Sequence, residues 1–153
     1  MVHLLVYADR LDIEGLVSSP PYAGRKSHIE EALNAYAADY GSLKKKSDGF
    51  PTPEELLRIT KQGAIDPQRD TIPDALSEGA QWIIQQAGEK DERPLYILVW
   101  GSITDVAQAV HHAPEIKGVI RLYSIGSWNT VQDPQARDYL FHQHPDLWWI
   151  ENN

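Results

Sequence analysis

The chain has 153 residues, 42% of them hydrophobic, and carries 14 basic against 22 acidic residues for a formal charge of −8. That length reads as a single α/β domain spanning residues 1–153, long enough to bury roughly 68–70% of its unfolded surface. The acidic balance argues against nucleic acid as a partner, and zero cysteines exclude disulfides, thiolate metal sites and cysteine nucleophiles.

Leu4, Leu5, Ala8 and Leu11 fit one face of a helix, although Val2 to Ala8 taken alone reads equally as a strand. This apolar start is short and has no basic leader, so it does not read as a signal peptide. No apolar run approaches the ~20 residues of a membrane span, so no membrane partner is expected. The compartment is left open. Ile13 to Ser18 reads as a strand, and Ser19 to Gly24 as a loop because paired prolines forbid a ladder. Ser27 is placed to cap a helix whose stripe is Ile29, Leu33, Tyr36, Ala37 and Tyr40. Gly41 to Thr52 is a polar connection. Pro53 starts a short helix through about Lys61. Gln62 to Thr71 is irregular, and Ile72 to Ala87 is an amphipathic helix.

Leu95 to Val110 is the most informative stretch. Tyr96 to Trp100 is a continuous aromatic and aliphatic run, as in a strand buried on both faces. Gly101 breaks it, and Ser102-Ile-Thr-Asp105 has capping-box spacing for a helix that continues through Val106, Ala109 and Val110. Pro114 closes that helix. Val119 to Ile125 is a strand, Asp133-Pro134 opens a helix to about His144, and Leu147 to Ile150 is a last strand. Strands alternating with helices imply an open, mostly parallel, Rossmann-like sheet with helices on both faces. Ligands in such sheets gather beyond the carboxyl ends of the strands, where Trp100 to Asp105 lies.

Several chemistries fail on spacing. There is no Gly-x-Gly-x-x-Gly, no Walker-type lysine motif and no Gly-x-Ser-x-Gly elbow. Asp9, Asp12 and Glu14 precede Gly15 with the wrong intervals for an EF-hand loop and read as turn carboxylates. His111, His112, His142 and His144 lie near helix ends, where an imidazole suits the dipole, and do not form a zinc triad. Ser18 and Ser19, Asp105, and Trp128 with Asn129 fall at three strand ends on one carboxyl edge. Hydroxyls, an amide and indoles there would suit a ribose-like ligand, and the same residue types are also ordinary turn formers.

Trp100-Gly-Ser-Ile-Thr-Asp-Val-Ala107 resembles the Gly-Pro-Leu-Thr-Asn-Val-Ala turn of the inosine/uridine-preferring nucleoside hydrolases. It is closer to a divergent, nucleoside-hydrolase-like bacterial family often labelled cellulose-binding. Tyr7 to Ser19, Arg121 to Ile125 and His144 to Trp148 are similar to further segments of that family, which favours a helix at the N-terminus. The resemblance implies N-glycosidic bond hydrolysis, with a calcium ion holding the sugar diol and a water while an aspartate accepts the proton. It also implies that the family's Asp-rich turn and a late aspartate have no counterpart here. The chain is then expected to be the middle of a larger domain, inactive alone and not binding calcium alone. The main-chain carbonyl of Trp100 is the one position matching a metal ligand, and Asp105 replaces the usual Asn. The expected partner is a nucleoside or sugar, and a sheet lacking its first strand would expose an edge that a second copy could cover. The alternatives are a non-catalytic carbohydrate- or nucleoside-binding module and a structural remnant.

Overall fold

The computed structural model describes residues 1–22, 24–67 and 75–152. Its strands fall into two parallel sheets. In one, β1 (Leu16–Val17) pairs with β2 (Thr60–Lys61). In the other, β3 (Leu95–Val99), β4 (Ile120–Ile125) and β5 (Trp149–Asn152) pair in that order.

Each sheet has its own apolar cluster. In the first half, α1 (Val2–Val6), a 3₁₀ turn at Ala8–Arg10, α2 (Lys26–Lys44) and α3 (Pro53–Arg58) bury Leu5, Ala8, Leu16, Ile29, Leu33 and Leu56 together. Ile29, Leu33 and Tyr36 recur at helical spacing, which turns one side of α2 onto β1. The Tyr36 hydroxyl donates to Pro51 O at 2.7 Å, and burial pushes its pKa up to about 12. In the second half, α4 (Glu78–Ala87), α5 (Thr104–His112) and α7 (Pro134–Gln143) bury Ile83, Val99, Val110, Leu122 and Leu140 against one face of β3–β4–β5. A short α6 (Trp128–Gln132) precedes α7.

The parallel strands and alternating helices match the expected Rossmann-like α/β plan, but among the described residues the strands form two sheets, and helices lie on both sides only of the first. Coverage is uneven. Val17 of β1 lies against α4 at Gly79, and Leu16 faces the α2 cluster, so the first sheet is covered on both sides. On β3–β5 only the face of Ile97, Leu122 and Trp149 is packed. Tyr96, Leu98, Trp100, Ile125, Trp148 and Ile150 on the opposite face are all exposed.

Local departures from the sequence expectations have identifiable causes. α2 begins at Lys26 with Arg25 as its cap, because the Gln62 Oε1 accepts from Lys26 N at 2.8 Å and replaces a Ser27 cap. It continues through Gly41 to Lys44, where Leu43 packs on the first core. α3 stops at Arg58, and Thr60 joins β2 while its hydroxyl donates to Leu56 O at 2.7 Å. At its start the expected N1 proline is joined by a full capping box between Thr52 and Glu55. α4 starts at Glu78 because the Ser77 hydroxyl accepts from Ala80 N at 2.9 Å; Ile72 to Asp74 of the expected helix lie outside the described residues. The strand expected at Ile13 to Ser18 is ladder-paired only at Leu16 and Val17.

Candidate functional site at the carboxyl edge

The carboxyl ends of β1, β3 and β4 meet, and hydrogen bonds rather than a shared sheet join the two halves. Ser102 N donates to Pro20 O at 2.9 Å, and Gly79 N donates to Gln62 O at 2.9 Å. Gly101 is required by this approach: a Cβ there would lie 2.6 Å from Ser19 Oγ and 3.0 Å from Pro20 O. At the opposite ends of the strands, Trp82 Nε1 donates to Glu14 O at 2.7 Å and Arg93 pairs with Asp12 at 2.5 Å.

Asp105 is the centre of the junction. The capping-box reading of Ser102 to Asp105 is not realised: Ile103 occupies the cap position of α5, without a side-chain cap bond, and Asp105 turns away from its own helix end. Its Oδ1 accepts from Ser77 Oγ at 2.5 Å and from Ala64 N at 2.8 Å, tying α5 to the first half. Its Oδ2 packs against Gly63, where any Cβ would come within 2.5 Å of it. Asp105 is 4% exposed. Burial drives its pKa above the usual carboxylate range, the Ser77 and Ala64 hydrogen bonds oppose the rise, and the charge of Asp133 adds to it. Ser18 is similarly occupied, its Oγ accepting from Gly63 N at 3.2 Å. Asp133 holds the expected N-cap position of α7, without a side-chain cap bond, and its carboxylate accepts a short hydrogen bond from the Thr104 hydroxyl, linking the starts of α5 and α7.

The residues facing solvent are different ones. Asn129 lies in α6, not in a loop, and its Nδ2 donates to Ile125 O at 3.2 Å and more weakly to Trp100 O at 3.5 Å. Trp128 stacks on Tyr22, with ring centroids 5.8 Å apart and planes inclined by 22°. Both rings are carried by strained backbone. Tyr22 itself has φ 65°, and Ser127, directly before Trp128, has φ 57°. Such conformations cost non-glycine residues of order 1–3 kcal/mol and concentrate at functional sites. Beside Asn129 is a small, open recess lined by Gly101, Ser124, Asn129, Thr130, Arg137 and Glu151 among others. In it Arg137 Nη2 pairs with Glu151 at 2.8 Å, and the Thr130 hydroxyl donates to Glu151 at 3.0 Å. The Arg137 hydrogen bond holds the Glu151 pKa below its ordinary value.

Ser19, Trp100, Trp128 and Asn129 are thus brought to one edge, while Ser18 and Asp105 are committed to the junction beneath it. Tyr22, Thr130, Arg137 and Glu151 were not anticipated from the sequence. Arg137 and Glu151 meet across 14 positions and two elements, which no local spacing reveals. Calcium, implied by the family resemblance, requires about six to eight oxygens, several of them carboxylate. The edge offers the Trp100 carbonyl, hydroxyls and the Glu151 carboxylate, which Arg137 already pairs, while the Asp105 oxygens are turned inward, so the described residues do not fit that ion. Two of the four histidines have a structural partner: the Tyr139 hydroxyl bridges His111 at 3.0 Å and His144 at 2.9 Å.

Comparison with known proteins adds to this geometry. The family model described as "Cellulose-binding Sde182, nucleoside hydrolase-like domain" matches residues 1–153. A nucleoside hydrolase-related hypothetical protein from Saccharophagus degradans, described as associated with carbohydrate metabolism, shares 28% identity and superposes with a TM-score of 0.80. The match covers 95% of this chain and 38% of that one. An inosine-uridine preferring nucleoside hydrolase from Bacillus anthracis shares 16% identity and superposes with a TM-score of 0.58, over 94% of this chain and 57% of that one, which shows a common fold. The chain therefore spans well under two thirds of the length of either structure. No curated protein matches it.

Proposed function

The chain belongs to the cellulose-binding Sde182, nucleoside-hydrolase-like domain family, and from that premise we propose that it forms one wall of a cleft for a ribosyl or other sugar ligand, without hydrolysing it alone. The observation that carries this reading is the Tyr22–Trp128 stack beside Asn129 at the carboxyl edge of the strands. Paired aromatic faces with an adjacent amide suit the apolar face and hydroxyl rim of a sugar or nucleoside, and this edge is where open α/β sheets take ligands.

Asp105 is the reason no turnover is expected. It is the carboxylate nearest the glycine turn, yet two donors of the junction hold it, and a proton acceptor must reach its water within ~3.2 Å. The carbohydrate connection of the Saccharophagus relative and the family's description favour a sugar ligand over none. The test is calorimetric titration with ribose, nucleosides and a soluble glucan, run beside a chromogenic riboside assay with and without calcium. Heat of binding without product release is expected. Calcium-dependent turnover would overturn the reading in favour of a self-sufficient hydrolase, and no binding to any of the ligands would favour a structural remnant.

A further inference from the structure

The aromatic wall is carried by a helix that does not hold itself. α6 has five residues, none of them buried, and helices shorter than ~12–15 residues are marginal on their own. The chain enters it through the positive φ of Ser127. The two rings add little hold, since Tyr22 is 82% and Trp128 48% exposed. The placement of Trp128 therefore comes from the bonds that tie α6 to the sheet. Just before the helix, Gly126 N donates to Asn152 O at 2.8 Å. From the helix itself, the Asn129 amide reaches the Ile125 carbonyl at the end of β4, and the Thr130 hydroxyl reaches Glu151 in β5.

Thr130 follows Trp128 by two positions, about 200° around a helix of 3.6 residues per turn, so the two side chains leave opposite sides of α6. Fixing Thr130 inward on β5 thus turns Trp128 outward, toward Tyr22. The acceptor is itself braced. Glu151 lies two positions after Trp149, on the same side of β5. Its Oε1 accepts from Thr130 at 3.0 Å and its Oε2 from Arg137 Nη2 at 2.8 Å. Only 21% of the Arg137 and 18% of the Glu151 side chain is exposed, so solvent screens this pair less than a surface ion pair. The guanidinium lies over the rings of Phe141 at 4.4 Å and Trp149 at 5.6 Å. Trp149 Nε1 in turn donates to Ser124 Oγ at 2.8 Å.

We propose that Thr130 and Glu151, with Arg137 behind them, are positioning residues that lock the roll of α6 and so hold Trp128 against Tyr22. They act through the ring and touch no ligand. The effect of this lock on ligand binding rests on the reading of the stack as a cleft wall; its effect on ring placement does not.

The test follows the Trp128 indole N–H resonance in proton–nitrogen correlation spectra of the 153-residue chain, beside calorimetric titration with ribose. Trp128→Phe identifies the resonance by its loss, and Tyr22→Ala gives its position for an unstacked ring. Thr130→Val keeps the shape and removes the donor. It is expected to move the resonance toward the Tyr22→Ala position and to weaken ribose binding roughly fivefold, the size of one net hydrogen bond. Thr130→Ser keeps the donor and loses the methyl, so the resonance should stay in place; a role in packing alone would give the reverse order. Should Thr130→Val fail to fold, Glu151→Ala breaks the same bond from the other side and is expected to move the resonance in the same direction. A resonance that stays in place in both Thr130→Val and Glu151→Ala, or that moves as far in Thr130→Ser as in Thr130→Val, would overturn the lock. No ribose binding by the wild type would count against the sugar wall instead, and the resonance would still decide the lock.

Discussion

The two halves of the chain solve the same packing problem to different extents. Around β1 and β2 the strands pair over only two residues each, yet helices enclose them on both sides. Around β3, β4 and β5 the ladders are four and five pairs long, yet only one face is covered. Ladder length and burial are therefore separate properties here. The well-paired half leaves apolar surface for something else to cover, and the poorly paired half depends on its helices. Between them run hydrogen bonds through Asp105, Ser77, Ala64, Ser102 and Pro20 beside the packing of Val17 on α4, and the candidate cleft sits on that junction.

The largest effects are expected inside the half with the longer ladders. Leu122, fully buried between β3 and β5, should cost about 2–5 kcal/mol when changed to Ala, measured by urea unfolding. Leu98→Ala on the other face of the same sheet should change stability by no more than about 0.5 kcal/mol. Similar losses for the two variants would show that the open face is packed after all.

Next comes the junction. Asp105→Ala strands the Ser77 hydroxyl and the Ala64 N–H, which should cost about 1–3 kcal/mol. Asp105→Asn keeps an acceptor and should cost less. The pH dependence has a definite sign. The folded pKa of Asp105 lies above its unfolded value of about 3.9, so the neutral acid is the form the fold favours. That contribution is fully present below the unfolded pKa and is lost as pH rises through the folded one. Wild type should therefore gain stability relative to Asp105→Asn as the pH is lowered from neutral toward 4. Urea unfolding of both proteins across that range checks it, and a constant difference would place Asp105 in a solvated site.

In the helix-dependent half, Thr52→Ala removes the capping box of α3 and should cost about 1 kcal/mol by the same unfolding assay. The smallest effect is expected at the exposed end of the junction. Arg93→Ala breaks the pairs with Asp12 and Asp91, both solvent-screened, so its melting temperature should move little at low salt and not at all at high salt.

What was legible in the sequence follows the same division. The strand before Gly101, the proline starts at Pro53 and Pro134 and the helix stripes all report local periodicity, and each element appears close to its expected place; the burial of that strand on both faces does not hold, since Tyr96, Leu98 and Trp100 are exposed. The two-residue β2 was not legible, because its pairing with β1 is set by residues more than 40 positions away. Ser102 does not cap α5, whose cap position is held by Ile103, whereas Asp133 does hold the N-cap position of α7 and turns its carboxylate to the Thr104 hydroxyl. At the site, the strand ends were found by position in the sheet, but the inward turn of Asp105 depends on Ser77 and Ala64. Likewise the stack of Trp128 on Tyr22 depends on two positive-φ residues that carry no sequence signature.

The aromatic pair is the proposed sugar-binding wall. Calorimetric titration of ribose and of a nucleoside into the wild-type chain and into Trp128→Ala tests it. Saturable binding by the wild type that falls at least tenfold in the variant, with both proteins equally stable, is the predicted result. Equal binding by the two proteins, or binding by neither, would contradict it.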